Sequence, residues 1–245
     1  PGGVEHIPAT IEALEAAIDD RVAAVIVEPI QGEAGVVELA EGYLQAARSL
    51  TLKHGALLIV DEIQTGAGRT GAWFGFSHEG ITPDAITLAK GIGGGFPIGA
   101  LVTYGAASSL FTPGSHGSTF GGNPLATAVA DAVLTEIERA GLVDNAARRG
   151  EEILEIIADI DSPLVTGVRG RGLLIGVALG APVANEVVAA AQERGLIVNA
   201  ANPETVRIAP ALTIGDAELA EFRELFAASL SDVQTSLPEA GKALA

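Results

Sequence analysis

Cysteine is absent from the 245 residues, which excludes disulfides, thiolate zinc sites and a cysteine nucleophile. Aromatic residues make up only 4% of the chain, a composition that suits a tightly packed α/β protein better than a β-sandwich rich in Tyr and Trp. Basic residues are scarce: 14 Lys and Arg stand against 31 Asp and Glu, for a formal net charge of −17. A nucleic acid would meet a repulsive surface and is not an expected partner, and any anionic substrate must be captured by a few well-placed basic groups. Long apolar runs are missing too. Residues 22–27 and 56–60 fall far short of the roughly 20 needed to span a bilayer. No basic-then-apolar leader opens the chain, so no membrane association and a cytoplasmic location are expected.

What the chain does have is 48% hydrophobic residues and 31 glycines, enough to bury one large or two modest cores and to make many turns. The acids fall along prospective helix faces, as at Glu218, Glu221 and Glu224, the pattern of a solvated surface.

Residues 22–27 form a continuous apolar, β-branched run closed by Glu28-Pro29, which reads as a strand buried on both faces and hence as part of a parallel sheet. A helical stretch over residues 42–53 leads to a second strand at 56–60 followed by Asp61 and Glu62. This strand, helix, strand unit has the length of a crossover and puts Asp61 at a strand's carboxyl end, where open α/β sheets bind ligands. Apolar runs at 85–89 and 100–104 flank a glycine-rich stretch that begins beside Lys90. Apolar positions recur at helical spacing over 123–139, long enough to carry the chain out of a first domain. After Gly141 the spacing predicts a helix, a strand at 172–179, a helix near 183–194, strands near 196–199 and 205–208, and a last helix from Asp216, with a polar tail after Ser231. That is a smaller α+β domain, and there is no internal repeat.

Gly66-Ala-Gly-Arg-Thr-Gly71 matches the dinucleotide pattern G-x-G-x-x-G, but its context does not fit. Asp61 to Thr65 separate it from the strand, no helix start follows, and no strand-terminal acid lies about 20 residues on. Asp61-Glu62 would suit a metal-binding acid of an NTPase, yet no G-x-x-x-x-G-K-[ST] loop exists, and Lys90 precedes its glycines instead of following them. His6, His54, His78 and His116 lack metal-ligand spacing, so no metal is expected. Arg169 and Arg171 lie in a Gly-rich turn and read as structural or surface residues. An acid at one strand end, a lysine past another and a Ser-Thr-Phe-Gly-Gly-Asn segment downstream offer a Schiff-base amine, a carboxylate for a ring nitrogen and donors for a phosphate.

Five segments in this order carry a resemblance: Glu28-Pro-Ile-Gln-Gly-Glu-Ala-Gly35, Asp61-Glu-Ile-Gln-Thr-Gly66, Thr82-Pro-Asp-Ala-Ile-Thr-Leu-Ala-Lys-Gly-Ile-Gly-Gly-Gly95, His116-Gly-Ser-Thr-Phe-Gly-Gly-Asn-Pro124 and Val206-Arg-Ile-Ala-Pro210. Over nearly its whole length the sequence resembles a class III (ornithine-type) aminotransferase dependent on pyridoxal 5′-phosphate. The resemblance implies an α/β chain with the fold of type I pyridoxal-phosphate transferases. Residues 1–140 would be the C-terminal part of the large cofactor-binding domain, with its mostly parallel sheet and the interdomain helix, and residues 141–245 the small α+β domain.

It further implies that Lys90 is the lysine to which the cofactor is covalently attached and which moves the proton at the substrate's α-carbon. Asp61 would face the pyridine nitrogen, and Gln64 would hydrogen-bond the phenolic oxygen; Glu62, Ile63 and Thr119 complete the implied cofactor-binding set. Ser118 and Thr119 would reach the site of the neighbouring subunit, Thr119 touching its phosphate, which makes the protein a homodimer with shared active sites. Glu33 and Arg207 would form a substrate gate: the glutamate covers the arginine for the amino donor and frees it for a carboxylate of 2-oxoglutarate or glutamate. The stretch from Ala89 to Gly99 is closest in pattern to the branch of arginine biosynthesis, implying N2-acetylornithine as amino donor and 2-oxoglutarate as acceptor. Ornithine, succinylornithine or 4-aminobutyrate chemistry, or a truncated non-catalytic remnant acting as an interaction module, are the alternatives. The family's Gly-Ser/Thr phosphate turn, ring-stacking aromatic and second carboxylate-binding arginine have no match in this sequence and would belong to a preceding segment.

Overall fold

In the computed structural model, residues 3–237 are described. Their elements are α1 (Ile11–Ala17), β1 (Ala24–Val27), β2 (Ile30–Gln31), β3 (Val37–Glu38), α2 (Tyr43–His54), β4 (Leu57–Asp61), β5 (Ala85–Leu88), β6 (Ala100–Thr103), α3 (Pro124–Arg139), α4 (Leu142–Ile160), β7 (Val165–Arg171), β8 (Leu174–Leu179), α5 (Ala184–Glu193), β9 (Asn199–Asn202), β10 (Thr205–Ile208) and α6 (Asp216–Ser236). They divide into two compact units. The first comprises Pro1–Pro29, Leu39–Ala67 and Trp73–Ile137; the second comprises Ile30–Glu38, Gly68–Ala72 and Glu138–Ala245. The second unit takes in two short segments from earlier in the chain.

The first unit is built on a sheet of order β1-β4-β5-β6. β1 and β4 are parallel, as are β4 and β5, while β6 runs antiparallel to β5. α1 starts at Thr10, whose side chain accepts a hydrogen bond from the Ala13 N–H at 3.2 Å. α2 stops at Gly55, which takes the left-handed conformation with φ 70°. Leu14, Tyr43, Leu44 and Ala47 of these helices pack on Leu58, Val60 and Ile86 of the sheet. Full burial stabilises each of the three strand residues by about 1.5–3 kcal/mol. Arg48 ties α2 to the sheet: its Nη1 lies 2.7 Å from Asp84 Oδ2, which also accepts the Leu58 N–H.

β1 departs from expectation. It is not buried on both faces: its residues alternate between exposed and half-buried, and Ile26 is 64% exposed. β1 is an edge strand, and on the side that Ile26 faces no described residue covers it.

The second unit contains a wholly antiparallel sheet of order β7-β8-β10-β9. β8 alternates its allegiance with period two. Ile175 and Val177 join Val206, Ile208 and the helix residues Ile153, Ile157, Val187, Phe222, Phe226 and Leu230 in the main core. Leu174 faces the other way and packs on Ile30 and Val36 of the β2–β3 hairpin. Both faces are therefore covered from within the unit.

Three expectations are corrected here. The Gly-rich turn holding Arg169 and Arg171 is strand β7. The strand expected at 196–199 lies at Asn199–Asn202, because Leu196 and Val198 instead pack against the main core. The polar tail after Ser231 continues α6 to Ser236, held by buried Leu230 and Val233. The G-x-G-x-x-G segment makes turns, not a helix start. Arg69 donates to the carbonyls of Leu173 and Pro210, and a Cβ on Gly71 would lie 2.8 Å from that of Ala147. This glycine serves close packing. Among the described residues no helix is long and apolar enough to cross a membrane.

Candidate active site

β4 and β5 deliver two groups to one end of the first unit's sheet. Asp61 is the last residue of β4 and pairs in register with Thr87 of β5. Its Oδ1 accepts hydrogen bonds from Thr87 Oγ1 and from the Ile63 N–H, each at 3.0 Å. Among the described residues its second carboxylate oxygen accepts none. The side chain is thus half-buried and oriented from one side, with an acceptor left over.

Two residues beyond the end of β5, Lys90 opens a short 3-10 turn, Lys90–Gly93. Its φ of 46° is left-handed, a conformation that costs a residue with a Cβ about 1–2 kcal/mol and that tends to persist where function requires it. The Lys90 side chain is exposed, and its amine has no partner among the described residues.

Glu62 follows Asp61 but points to the opposite side. It is 1% exposed. Oε2 accepts from Thr65 Oγ1 at 2.5 Å and from the Gly75 N–H at 2.8 Å, and Oε1 from the Phe76 N–H at 2.9 Å. Burial raises its pKa, against the opposing pull of these three bonds, and the neighbouring Asp61 charge raises it further. The Glu62 side-chain oxygens are thus committed to the turn at Thr65 and the chain at Gly75–Phe76. Ile63 gives its N–H to Asp61, and Gln64 is half-buried in the same turn. Ser118 and Thr119 lie in an exposed stretch, where Ser118 Oγ accepts the Gly121 N–H at 3.0 Å. Thr87, which orients Asp61, is absent from the expected set. Its place opposite Asp61 on the next strand is a signal that period-two counting along β5 could have found.

In the second unit, Arg207 of β10 donates from Nη1 to Glu33 Oε1 at 2.8 Å. The two side chains are 16% and 69% exposed respectively, so the pair sits at a boundary with water, with Glu33 on the open side. Glu33 belongs to the tip of the β2–β3 hairpin. That tip is fastened by Arg169, which donates to Gly35 O and Val36 O, and by Asn202, which donates to Ala34 O. Arg171 and the Gly170 N–H bind Glu38 at the hairpin's base. Sequence reasoning set Arg169 and Arg171 aside as structural or surface residues, and in the structure both hold this hairpin.

The family model for class-III aminotransferases matches residues 3–230. The chain is 53% identical over 223 residues to the acetylornithine aminotransferase of Mycolicibacterium smegmatis, a match that covers 91% of this chain and 57% of that protein. It therefore spans little more than half the length of this relative. The solved acetylornithine aminotransferase of Elizabethkingia anophelis superposes with a TM-score of 0.89 at 36% identity, covering 95% of this chain and 63% of that one. An ornithine aminotransferase of Toxoplasma gondii, whose structure has partial occupancy of pyridoxal phosphate at its active site, gives 0.89 at 38% identity over 96% of this chain and 57% of that one. With a family model matched over nearly its whole length, the chain belongs to the class-III aminotransferase family.

Proposed function

We propose that this chain supplies the lysine-bearing part of an acetylornithine aminotransferase, which moves the amino group of N2-acetylornithine to 2-oxoglutarate and yields N-acetylglutamate 5-semialdehyde and glutamate. The observation that carries this is the placing of Asp61 at the carboxyl end of β4 and of Lys90 just past the carboxyl end of the adjacent parallel strand β5, on a chain 53% identical to an acetylornithine enzyme.

The residues fit pyridoxal 5′-phosphate. Asp61 is oriented through one oxygen and offers the other, as a protonated ring nitrogen requires. Lys90 and Lys53 are both exposed, but Lys90 follows a strand adjacent to that of Asp61 whereas Lys53 lies in α2, and Lys242 lies outside the described residues. When bound, the cofactor supplies an electron sink for a C–H bond next to nitrogen. Asp61 keeps a proton on the ring nitrogen by a charge-assisted hydrogen bond. Lys90 would hold the cofactor covalently and would carry a proton to and from the substrate carbon. Glu62, Ile63 and Gln64 would help hold the cofactor, Ser118 and Thr119 would serve the site of a second subunit in a homodimer, and Glu33 with Arg207 would admit the two substrates in turn. The expected place of action is the cytoplasm.

The test joins this chain to the amino-terminal remainder of the Mycolicibacterium smegmatis relative and assays acetylornithine, ornithine, succinylornithine and 4-aminobutyrate with 2-oxoglutarate. The expected result is highest turnover with acetylornithine, no activity from the chain alone, and, after borohydride reduction, a pyridoxyl label on Lys90 only. A label on another lysine would overturn the mechanism, and a better donor would overturn the substrate.

A further inference from the structure

Arg169, Gly176 and Arg207 stand side by side on β7, β8 and β10, because Gly176 pairs in register with both arginines. Direct cross-strand partners share a face, so a glycine lies between two arginines on the side of the sheet that the β2–β3 hairpin covers. The hairpin tip rests on that glycine. A Cβ at Gly176 would come within 2.9 Å of Gly35 O and of Val36 Cβ. Arg169 then fastens the tip from one side: Nε donates to Gly35 O and Val36 O at 3.0 Å each, and Nη2 to Gly35 O at 2.6 Å and to Thr205 Oγ1 at 3.1 Å. Thr205 opens β10, two residues before Arg207. One guanidinium therefore bridges the loop that carries Glu33 and the strand that carries Arg207.

The backbone of the tip is held in a conformation it would not choose. Val36 is fully buried with a φ of 56°, rare for a β-branched residue, at a cost on the order of 1–3 kcal/mol that only over-determined surroundings sustain. The ion pair between Glu33 and Arg207, with its glutamate 69% exposed, is too weak to impose this, since such pairs contribute about 0–1 kcal/mol.

We infer that Arg169 and Gly176 are positioning residues for substrate selection: they fix the hairpin so that Glu33 meets Arg207 by side-chain rotation alone, with no movement of the loop. This rests on the reading of Glu33 and Arg207 as the gate between the two substrates. Releasing the hairpin leaves Arg207 uncovered for longer, which weakens the amino donor's binding and leaves the dicarboxylate's intact.

The experiment measures the two half-reactions separately in the holoenzyme that contains this chain, for Glu33→Gln, Arg169→Gln, Gly176→Ala and the double variant Glu33→Gln/Arg169→Gln. Arg169→Gln and Gly176→Ala are each expected to raise the KM for the amino donor about tenfold, with the KM for glutamate unchanged or lower and kcat held within about twofold. In the double variant the donor KM should rise no further than in Glu33→Gln, because the two residues act through one contact. Gly176→Ala keeps Arg169 intact, so it reports even if the arginine variant folds poorly. If Glu33→Gln leaves both KM values alone, the gate reading itself fails. If Glu33→Gln raises only the donor KM while Gly176→Ala or Arg169→Gln raises both or neither, the gate stands and the positioning role is overturned.

Discussion

The two units treat their apolar side chains differently. In the second, Leu174, Ile175, Gly176 and Val177 are all buried, one set under the helices and the other under the hairpin, and both covers come from the same unit. In the first, Ile26, Leu110, Phe111, Phe120 and Leu125 are 55–80% exposed, and the edge strand β6 leaves Leu101 and Val102 substantially open. Monomeric soluble proteins seldom leave this much apolar surface uncovered. The unit with the uncovered surface is also the one that carries Lys90, Asp61, Ser118 and Thr119. The unit with the closed core instead carries a polar gate whose strain is held internally. The proposed cofactor lysine and its aspartate thus sit in the unit with the more open apolar surface, and the Glu33–Arg207 pair in the unit whose sheet is packed on both faces.

Phe226→Ala tests the closed core. Phe226 is fully buried and stacks on Phe222 with centroids 5.2 Å apart, so its removal should cost about 3–5 kcal/mol. Hydrogen exchange should show lost protection in β8 and β10, while the fluorescence of Trp73, the chain's single tryptophan and a member of the first unit, keeps its unfolding midpoint. Equal loss in β4 and β5 would mean that the two cores are one cooperative structure.

Asp61→Asn probes the open unit and should do the reverse. Asparagine can still accept from Thr87 and Ile63, so stability should change little, but the partner for a charged ring nitrogen is gone. Turnover of the holoenzyme should fall about 10²–10³-fold, equivalent to roughly 3–4 kcal/mol, with the Trp73 unfolding midpoint unchanged. Near-normal turnover would remove Asp61 from the chemistry.

The same contrast governs what the sequence makes legible. Runs such as Leu57–Asp61 and Ala85–Leu88 declare themselves because apolar, β-branched residues mark strands in the middle of a sheet, and the acid or lysine that follows is read with them. β7 does not, since Val165–Arg171 spells V-T-G-V-R-G-R: its arginines fasten the hairpin, more than a hundred positions away, and a Cβ on its Gly170 would collide with Leu174 O of β8. β9, with its asparagines at both ends, hides for the same reason, Asn202 being a hairpin contact. Glu62 follows Asp61 in the same sequence segment, and only the fold reveals the three donors, Thr65 Oγ1 and the N–H groups of Gly75 and Phe76, on its carboxylate. Local chemistry reads from the chain; partners supplied by tertiary contact do not.

Glu62 gives the smallest effect and the most specific one, because it tests whether pH acts on one unit alone. Its pKa is raised above the ordinary value of 4.5, chiefly by burial, so the fold favours its protonated form. Stability from this group is fully present below the unfolded pKa and is lost as pH rises through the folded one. Glutamine does not titrate, so the stability of the native protein relative to Glu62→Gln should decline as pH climbs past about 4.5. Trp73 lies two residues before Gly75, whose N–H binds Glu62, and urea unfolding followed through its fluorescence at a series of pH values measures the difference. The second unit's arginines with shifted pKa values, Arg69, lowered by burial, and Arg149, raised chiefly by its hydrogen bond to Glu152, do not lose their protons in this range, so exchange protection in β8 and β10 should give a difference between the two proteins that is flat with pH. A difference at Trp73 that grows with pH would mean that the three hydrogen bonds outweigh burial and hold the carboxylate ionised. An equal slope in β8 and β10 would mean that the interior of the first unit is not where this protein senses pH.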